Sequence, residues 1–145
     1  MAVERTASAE WQGDLLGGAG TVSTQSGAVR DATIKWSSRA EAADENTSPE
    51  ELIAAAHAAC VSMALAHGLA QAGTPPQRIE SQATSTFDQV GDGFRMTRMH
   101  LRIRGNVDGL DDDGFRKAAE DAKDNCPVSQ ALSDDVEVTV EAALA

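Results

Sequence analysis

One alanine-rich segment constrains the fold of this 145-residue chain more than any other feature. Ser48 can act as an N-cap, Pro49 suits the first position of a helix, and two glutamates follow where the helix dipole is positive. Gly73, followed shortly by two prolines, is typical of a helix end. The sequence therefore predicts one long helix from Pro49 to this glycine. Its apolar stretch Leu52–Leu69 contains two histidines, so we interpret it as a buried helix rather than a membrane span.

Runs that alternate polar and apolar residues predict strands on both sides of this helix. The predicted strands are Ala7–Trp11, Gly20–Thr24, Ala32–Trp36, Gln77–Val90, Phe94–Val107 and Val136–Val140. Gly91–Gly93 supplies the turn of a long hairpin. A second helix is expected from Leu110 to about Lys123, and a short helical turn over Pro127–Leu132. This order of elements argues for an α+β fold rather than for βαβ units.

Length and charge limit the class of protein. The length predicts a single domain over residues 1–145. The net charge of −11, without a basic tail, disfavours nucleic acid and an anionic membrane surface as partners. The first ten residues lack the regions of a signal peptide, so we expect a cytoplasmic protein. Because the cytoplasm keeps thiols reduced, a disulfide in such a chain would be transient.

The chain has two cysteines, and they occupy different local settings. Cys60 lies in the middle of the long predicted helix, where an isolated cysteine is most often a small buried apolar residue. Cys126 precedes Pro127 at the start of a helical turn, where unpaired N–H groups favour a thiolate. Local physics alone therefore makes Cys126 the more acidic thiol, although a buried cap without chemistry is an equally good interpretation.

Metal and cofactor signals are weak. His57 and Cys60 have a spacing that could hold a metal, but no second ligand pair completes a site. Asp111 and Asp113 fit two positions of a calcium loop, yet its first position would be Gly109, which has no side-chain oxygen. No nucleotide-binding loop or serine-nucleophile motif is present. We therefore predict neither a metal nor a cofactor.

Two segments resemble the OsmC/Ohr family of organic hydroperoxide reductases. They are Ser48–Ala64, around Cys60, and Asn125–Ser129, around Cys126. The N-terminal pattern Ala9-Glu10-Trp11-x-Gly13, followed by Gly18-x-Gly20-x-Val22-Ser23, resembles the OsmC branch in particular. The resemblance implies an α+β, OsmC-like fold, with a long hairpin on a central helix, in an intertwined homodimer with active sites at the subunit interface. It also implies a thiol-dependent peroxidase in oxidative or osmotic stress defence, with a dithiol or lipoylated protein as the reductant.

The resemblance also implies four site residues. Cys60 would be the peroxidatic thiol, Cys126 the resolving thiol, and Arg39 with Glu50 the activating pair. Attack of a thiolate on the peroxide gives a sulfenic acid and an alcohol, and the second thiol then forms a disulfide. An arginine suits this scheme because a thiol in the middle of a helix receives no charge support from the helix ends.

Helix geometry adds a hypothesis about the subunits. Glu50 and Cys60 are ten residues apart, which places them ~15 Å apart along a straight helix. One arginine cannot easily contact both, so Glu50 and Cys60 of one site would come from different subunits. Two copies of the helix would then cross antiparallel near Ala54–Ala56, whose small side chains permit a close approach.

Two questions stay open at the level of sequence. Met63, Phe94 and Met96 are candidate walls of an apolar substrate pocket, but core packing is the favoured role for each. A non-enzymatic dimeric module of the same fold, which binds apolar ligands or senses the redox state of its thiols, is the alternative function. The presence of both cysteines with Arg39 and Glu50 argues for the enzyme.

Overall fold

A computed structural model of the protein describes residues 1–145, and its contacts separate two units along the chain, Met1–Leu52 and Ile53–Ala145. The first unit contains a small sheet and the start of the long helix. The second contains the rest of that helix, the long hairpin and the C-terminal elements. The prediction of a single domain stays a prediction.

An antiparallel sheet forms most of the first unit. Its strands are β1 (Ala7–Gln12), β2 (Ala19–Thr24) and β3 (Ala32–Ile34), in that order. The third strand ends earlier than predicted, because a short helix, α1 (Trp36–Ala40), follows it. Strand alternation could not reveal this helix, whose N-cap residue Lys35 makes no side-chain capping bond. The unpredicted α1 carries Arg39 in its last turn.

The long helix, α2, spans Pro49–Gln71 and confirms the predicted start and end. The Glu51 N–H donates to the Ser48 hydroxyl over 3.1 Å, as an N-cap requires. Gly73 adopts a left-handed φ of 85°, and the Thr74 N–H donates to the carbonyl of Leu69. By length and composition alone α2 could cross a membrane. The same is true of a core helix, and Val61, Leu65 and Leu69 of α2 are buried in the protein.

The second unit is built on a three-stranded sheet. β4 (Arg78–Val90) and β5 (Gly93–Asn106) form the predicted hairpin, and β6 (Glu137–Leu144) pairs with β5. The two remaining helices are α3 (Asp112–Asn125), capped by the Asp111 carboxylate, and α4 (Pro127–Ala131). The mixed α+β class is therefore confirmed.

One part of the topology differs from the expectation. β6 runs parallel to β5, so β5, the helices α3 and α4, and β6 form a parallel crossover of the βαβ kind. The order of elements predicted the α+β class correctly but did not reveal this one crossover. The order of elements along the chain shows which strands are separated by helices. It does not show with which strand, or in which direction, the last strand pairs.

The core of the second unit lies between its sheet and its helices. Every second residue of β5 is buried, from Met99 through Leu101 to Ile103. These side chains belong to one cluster with apolar residues of α2 and α3; the largest of these is Phe115. Phe115 lies over Gly105, where any side chain would collide with its ring. This packing fixes the second half of α2, on which Cys60 lies.

Candidate active site

The structure brings the two cysteines together in the second unit. Cys60 lies halfway along α2 and is partly exposed, whereas Cys126 lies between α3 and α4 and is fully buried. Both are free thiols, and their side chains are in hydrogen-bonding contact. Burial raises the pKa of Cys60, and the contact with the Cys126 thiol raises this pKa further. At rest, this setting holds Cys60 as a thiol.

The start of α4 opposes this effect. The backbone N–H of Val128, at the beginning of the helix, donates to the Cys60 sulfur and lowers its pKa. The sequence had placed such N–H groups opposite Cys126. Cys126 does occupy the N-cap position of α4, but its side chain makes no capping hydrogen bond. The side-chain amide of the neighbouring Asn125 donates to the carbonyl of Asp121 in α3. The donor from α4 thus supports charge on Cys60, a contact that no local sequence pattern predicts.

A second contact joins the same two elements. Nε2 of His57, on α2, lies 2.7 Å from the hydroxyl of Ser129, on α4. The imidazole is fully buried, and burial lowers the pKa of His57. His57 precedes Cys60 by almost one helical turn, and Ser129 follows Cys126 by three residues. The histidine therefore lies in the packing between α2 and α4, beside the thiols.

Arg39 and Glu50 form an ion pair in the first unit. The guanidinium contacts both carboxylate oxygens, with Nε 2.9 Å from Oε1 and 3.1 Å from Oε2, and a terminal nitrogen lies 2.8 Å from Oε1. The Arg39 side chain is 36% exposed, whereas that of Glu50 is 10% exposed. A carboxylate held this deeply needs its partner. Arg39 thus pairs with Glu50 of its own chain. The question that remains about the subunits is whether this pair acts on Cys60 of the same chain or of a partner.

An apolar pocket of about 260 Å³ adjoins Arg39 in the first unit. Its lining consists of Trp11, Leu15, Ile34, Lys35, Trp36, Arg39 and Pro49. The Arg39 guanidinium carbon lies 6.0 Å from the Trp36 ring centroid, a cation–π distance. Both tryptophans of the chain line this pocket, in a sequence with only 3% aromatic residues. The two tryptophans were the signal in the sequence that could have indicated this pocket.

The side chains proposed as pocket walls lie elsewhere. Met63 and Phe94 are exposed in the second unit, and the Phe94 ring packs against Phe87 with centroids 5.4 Å apart. Met96 packs against the core, as the alternative interpretation allowed. None of the three lines the pocket beside Arg39.

Comparison with known proteins identifies the family. A model of the family described as OsmC-like protein matches residues 42–141. The chain is also 40% identical to Peroxiredoxin OsmC of Escherichia coli over 141 residues, which are 97% of this chain and 96% of that protein. The chain belongs to the OsmC-like family. The predicted resemblance is thereby confirmed, and so is the predicted enzyme class, a peroxidase.

Two further relatives extend the comparison of this OsmC-like chain. The organic hydroperoxide resistance protein OhrA of Bacillus subtilis is 28% identical over 117 residues, covering 78% of this chain and 79% of that protein. The crystal structure of an organic hydroperoxide resistance protein OsmC from Legionella pneumophila superposes with a TM-score of 0.77. At 22% identity, with 99% of each chain covered, the Legionella structure supports the fold alone.

Proposed function

We propose that this OsmC-like protein reduces organic hydroperoxides to alcohols with Cys60 as the peroxidatic thiol and Cys126 as the resolving thiol. The observation that carries this proposal is the contact between two free thiols that are far apart in the sequence. The names of the Escherichia coli and Bacillus subtilis relatives support the substrate class. The protein would act in defence against peroxide stress in the cytoplasm.

The proposed reaction has two steps on the protein. The Cys60 thiolate attacks the distal peroxide oxygen, so that an S–O bond forms, the O–O bond breaks and the alkoxide takes up a proton to leave as the alcohol. The Cys126 thiolate then attacks the sulfenic sulfur; the S–S bond forms and hydroxide leaves as water after protonation. A dithiol or a lipoylated protein would reduce the Cys60–Cys126 disulfide by thiol–disulfide exchange.

Activation of Cys60 requires a cation, since burial raises its pKa. Glu50 holds the Arg39 guanidinium in a fixed orientation, which suits it to stabilise a thiolate and the developing negative charge on the peroxide. Glu50 lies ten residues before Cys60 on α2, ~15 Å along its axis. We therefore assign the Arg39–Glu50 pair of one subunit to the partner's Cys60 in a homodimer.

The pocket beside Arg39 is the proposed site for the organic group of the substrate. Its tryptophan, leucine and isoleucine side chains offer apolar surface. Of the two residues of the ion pair, Arg39 lines the pocket and Glu50 does not. A hydroperoxide bound there would direct its alkyl or aryl group to the tryptophans and its peroxide group to the guanidinium. This arrangement favours organic hydroperoxides over hydrogen peroxide, which has no apolar group to bury.

Mixed dimers test the assignment of subunits. Cys60→Ser is expected to inactivate a homodimer, and Arg39→Ala to slow its reaction with peroxide strongly. If the pair acts across the interface, refolding the two variants together restores one complete site in each mixed dimer, and peroxidase activity returns. The double variant mixed with Cys60→Ser is the control and should stay inactive. No recovery in a mixture shown to contain mixed dimers would place Arg39 and Cys60 of each site in one chain.

A further inference from the structure

The contact between His57 and Ser129 lies beside the thiols but has no part in the chemistry described above. His57 and Glu50 are the two buried polar or charged residues of the protein, and Glu50 is accounted for by Arg39. The His57 side chain is fully buried, and its Nε2 makes a 2.7 Å hydrogen bond to the Ser129 hydroxyl. A buried polar group of this kind requires a structural or functional reason.

The hydrogen bond runs alongside the thiol pair and joins the same two segments. His57 lies on α2 three residues before Cys60, and Ser129 lies on α4 three residues after Cys126. With the Val128 N–H that donates to the Cys60 sulfur, it provides the second polar contact from α4 to α2. Any displacement of α4 that separates the sulfurs would stretch this hydrogen bond.

The unpartnered nitrogen of the ring defines its tautomer. Nδ1 is buried and has no hydrogen-bond partner. A proton on Nδ1 would be an unsatisfied buried donor, so the proton belongs on Nε2, which donates to Ser129. Protonation of both nitrogens would create that same unsatisfied donor in a buried cation. His57 is therefore neutral and adds no positive charge to stabilise a thiolate.

The helix that carries Ser129 has little stability of its own. α4 has five residues, no side-chain cap and no buried side chains. A helix of this length is not stable in isolation, so its position depends on contacts with the rest of the protein. The resolving thiol directly precedes α4 and would share any displacement of it.

We propose that His57 and Ser129 are positioning residues that hold α4 against α2, so that Cys126 captures the Cys60 sulfenate as soon as it forms. This proposal rests on the proposed peroxidase function. Fast capture has a protective consequence, because a sulfenate that waits can react with a second peroxide to give an irreversible sulfinate. The pair would thus act mainly on the second step of the cycle, and the first step would lose only the contribution of the Val128 N–H to the Cys60 thiolate.

The test measures the two steps separately in a single turnover. Rapid mixing of the reduced protein with one equivalent of cumene hydroperoxide gives the rate of peroxide loss, and quenching at intervals gives the rate of disulfide formation. Ser129→Ala should slow disulfide formation about tenfold and leave peroxide loss within about twofold of the wild type. With excess peroxide, mass spectrometry should find more Cys60 sulfinate in Ser129→Ala than in the wild type.

Ser62→Ala is the matched control. Ser62 also lies on α2 and makes a 2.7 Å hydrogen bond, but its partner is Ser81 of β4 rather than a residue of α4. This variant should leave disulfide formation unchanged. Ser129→Thr, which keeps the hydroxyl, should retain the wild-type rate.

Substitutions at the other end of the contact give an independent comparison. The side-chain amide of His57→Gln can replace the Nε2–H donor and should preserve disulfide formation, whereas His57→Leu should slow it as Ser129→Ala does. Disulfide formation at the wild-type rate in Ser129→Ala and His57→Leu would overturn the proposal, and so would equal slowing of both steps. If the wild type itself loses no thiols, the peroxidase proposal fails instead.

Discussion

The thiol pair and the ion pair are built in opposite ways. Cys60 and Cys126 lie among buried apolar side chains and neutral hydrogen bonds, in the second unit. Arg39 and Glu50 carry full charges, and the arginine is partly exposed at the end of a short helix. The thiol region has a nucleophile whose pKa burial raises, whereas the ion-pair region has charge and an apolar pocket but no nucleophile. Under the proposed function the two regions are complementary, because the thiols need a cation and the ion pair needs a nucleophile.

The largest expected effect comes from removing the nucleophile. Cys60→Ser should abolish turnover of organic hydroperoxide, since the remaining thiol, Cys126, is fully buried. Cys126→Ser should still complete the first step and accumulate a Cys60 sulfenate, which dimedone traps and mass spectrometry locates. Full peroxidase activity in Cys60→Ser, or a trapped sulfenate on Cys126 in that variant, would reverse the assigned roles.

Removing the cation should have the next largest effect. Arg39→Ala should lower the second-order rate with peroxide about 100-fold, because the thiolate and the developing charge lose their stabilising group. The loss should also raise the pKa of Cys60, so the midpoint of the pH–rate profile should move to higher pH. Arg30→Ala removes an exposed cation from the same unit and should leave the profile in place. An unchanged midpoint in Arg39→Ala would show that the ion pair does not activate the thiol.

The pocket should govern the choice of substrate with a smaller effect. Trp36→Ala should raise KM for cumene hydroperoxide about tenfold, because part of the apolar contact surface is lost, and should leave the rate with hydrogen peroxide unchanged. Phe94→Ala removes an exposed aromatic ring that does not line the pocket. This variant should change neither the KM for cumene hydroperoxide nor the rate with hydrogen peroxide. Equal losses with both peroxides in Trp36→Ala would mean that the tryptophan supports Arg39 rather than the substrate.

The smallest effect should be a pH dependence of the free energy of unfolding, caused by His57 beside the thiols. Burial lowers the folded-state pKa of His57 from an ordinary value of 6.5, so the unfolded chain binds its proton first as the pH falls. The contribution of His57 to the free energy of unfolding is therefore complete above pH 6.5 and decreases below it. Urea titrations at pH 7.5 and 5.5 should show a smaller decrease for His57→Gln than for the wild type. Equal decreases would mean that other groups account for the pH dependence.

The features that the sequence predicted well are those determined by neighbouring residues. α2 starts and ends where its caps indicate, at Ser48 and Gly73, and the hairpin turns at its glycines. The pairing of β6 parallel to β5 was missed because it depends on distant packing. Distant packing also explains why the contact of α4 with Cys60 was missed. The local pattern indicated that the free N–H groups of α4 act on Cys126, whereas tertiary packing directs one of them to Cys60.

The composition of the site was predictable only in part. The resemblance to a family supplied Cys60, Cys126, Arg39 and Glu50, and the structure shows that they form two pairs. The pocket residues were missed because hydropathy gave no reason to prefer tryptophans of the N-terminal region over Met63 or Phe94.

The central claim is that organic hydroperoxide converts the Cys60–Cys126 contact into a disulfide within one chain. The most direct measurement treats the fully reduced protein with one equivalent of cumene hydroperoxide, counts the remaining thiols and maps the linked peptides under non-reducing conditions. We expect both thiols to be lost and a single intrachain link to join the peptides of Cys60 and Cys126. Two thiols that persist after the peroxide is added, or a disulfide between chains, would contradict it.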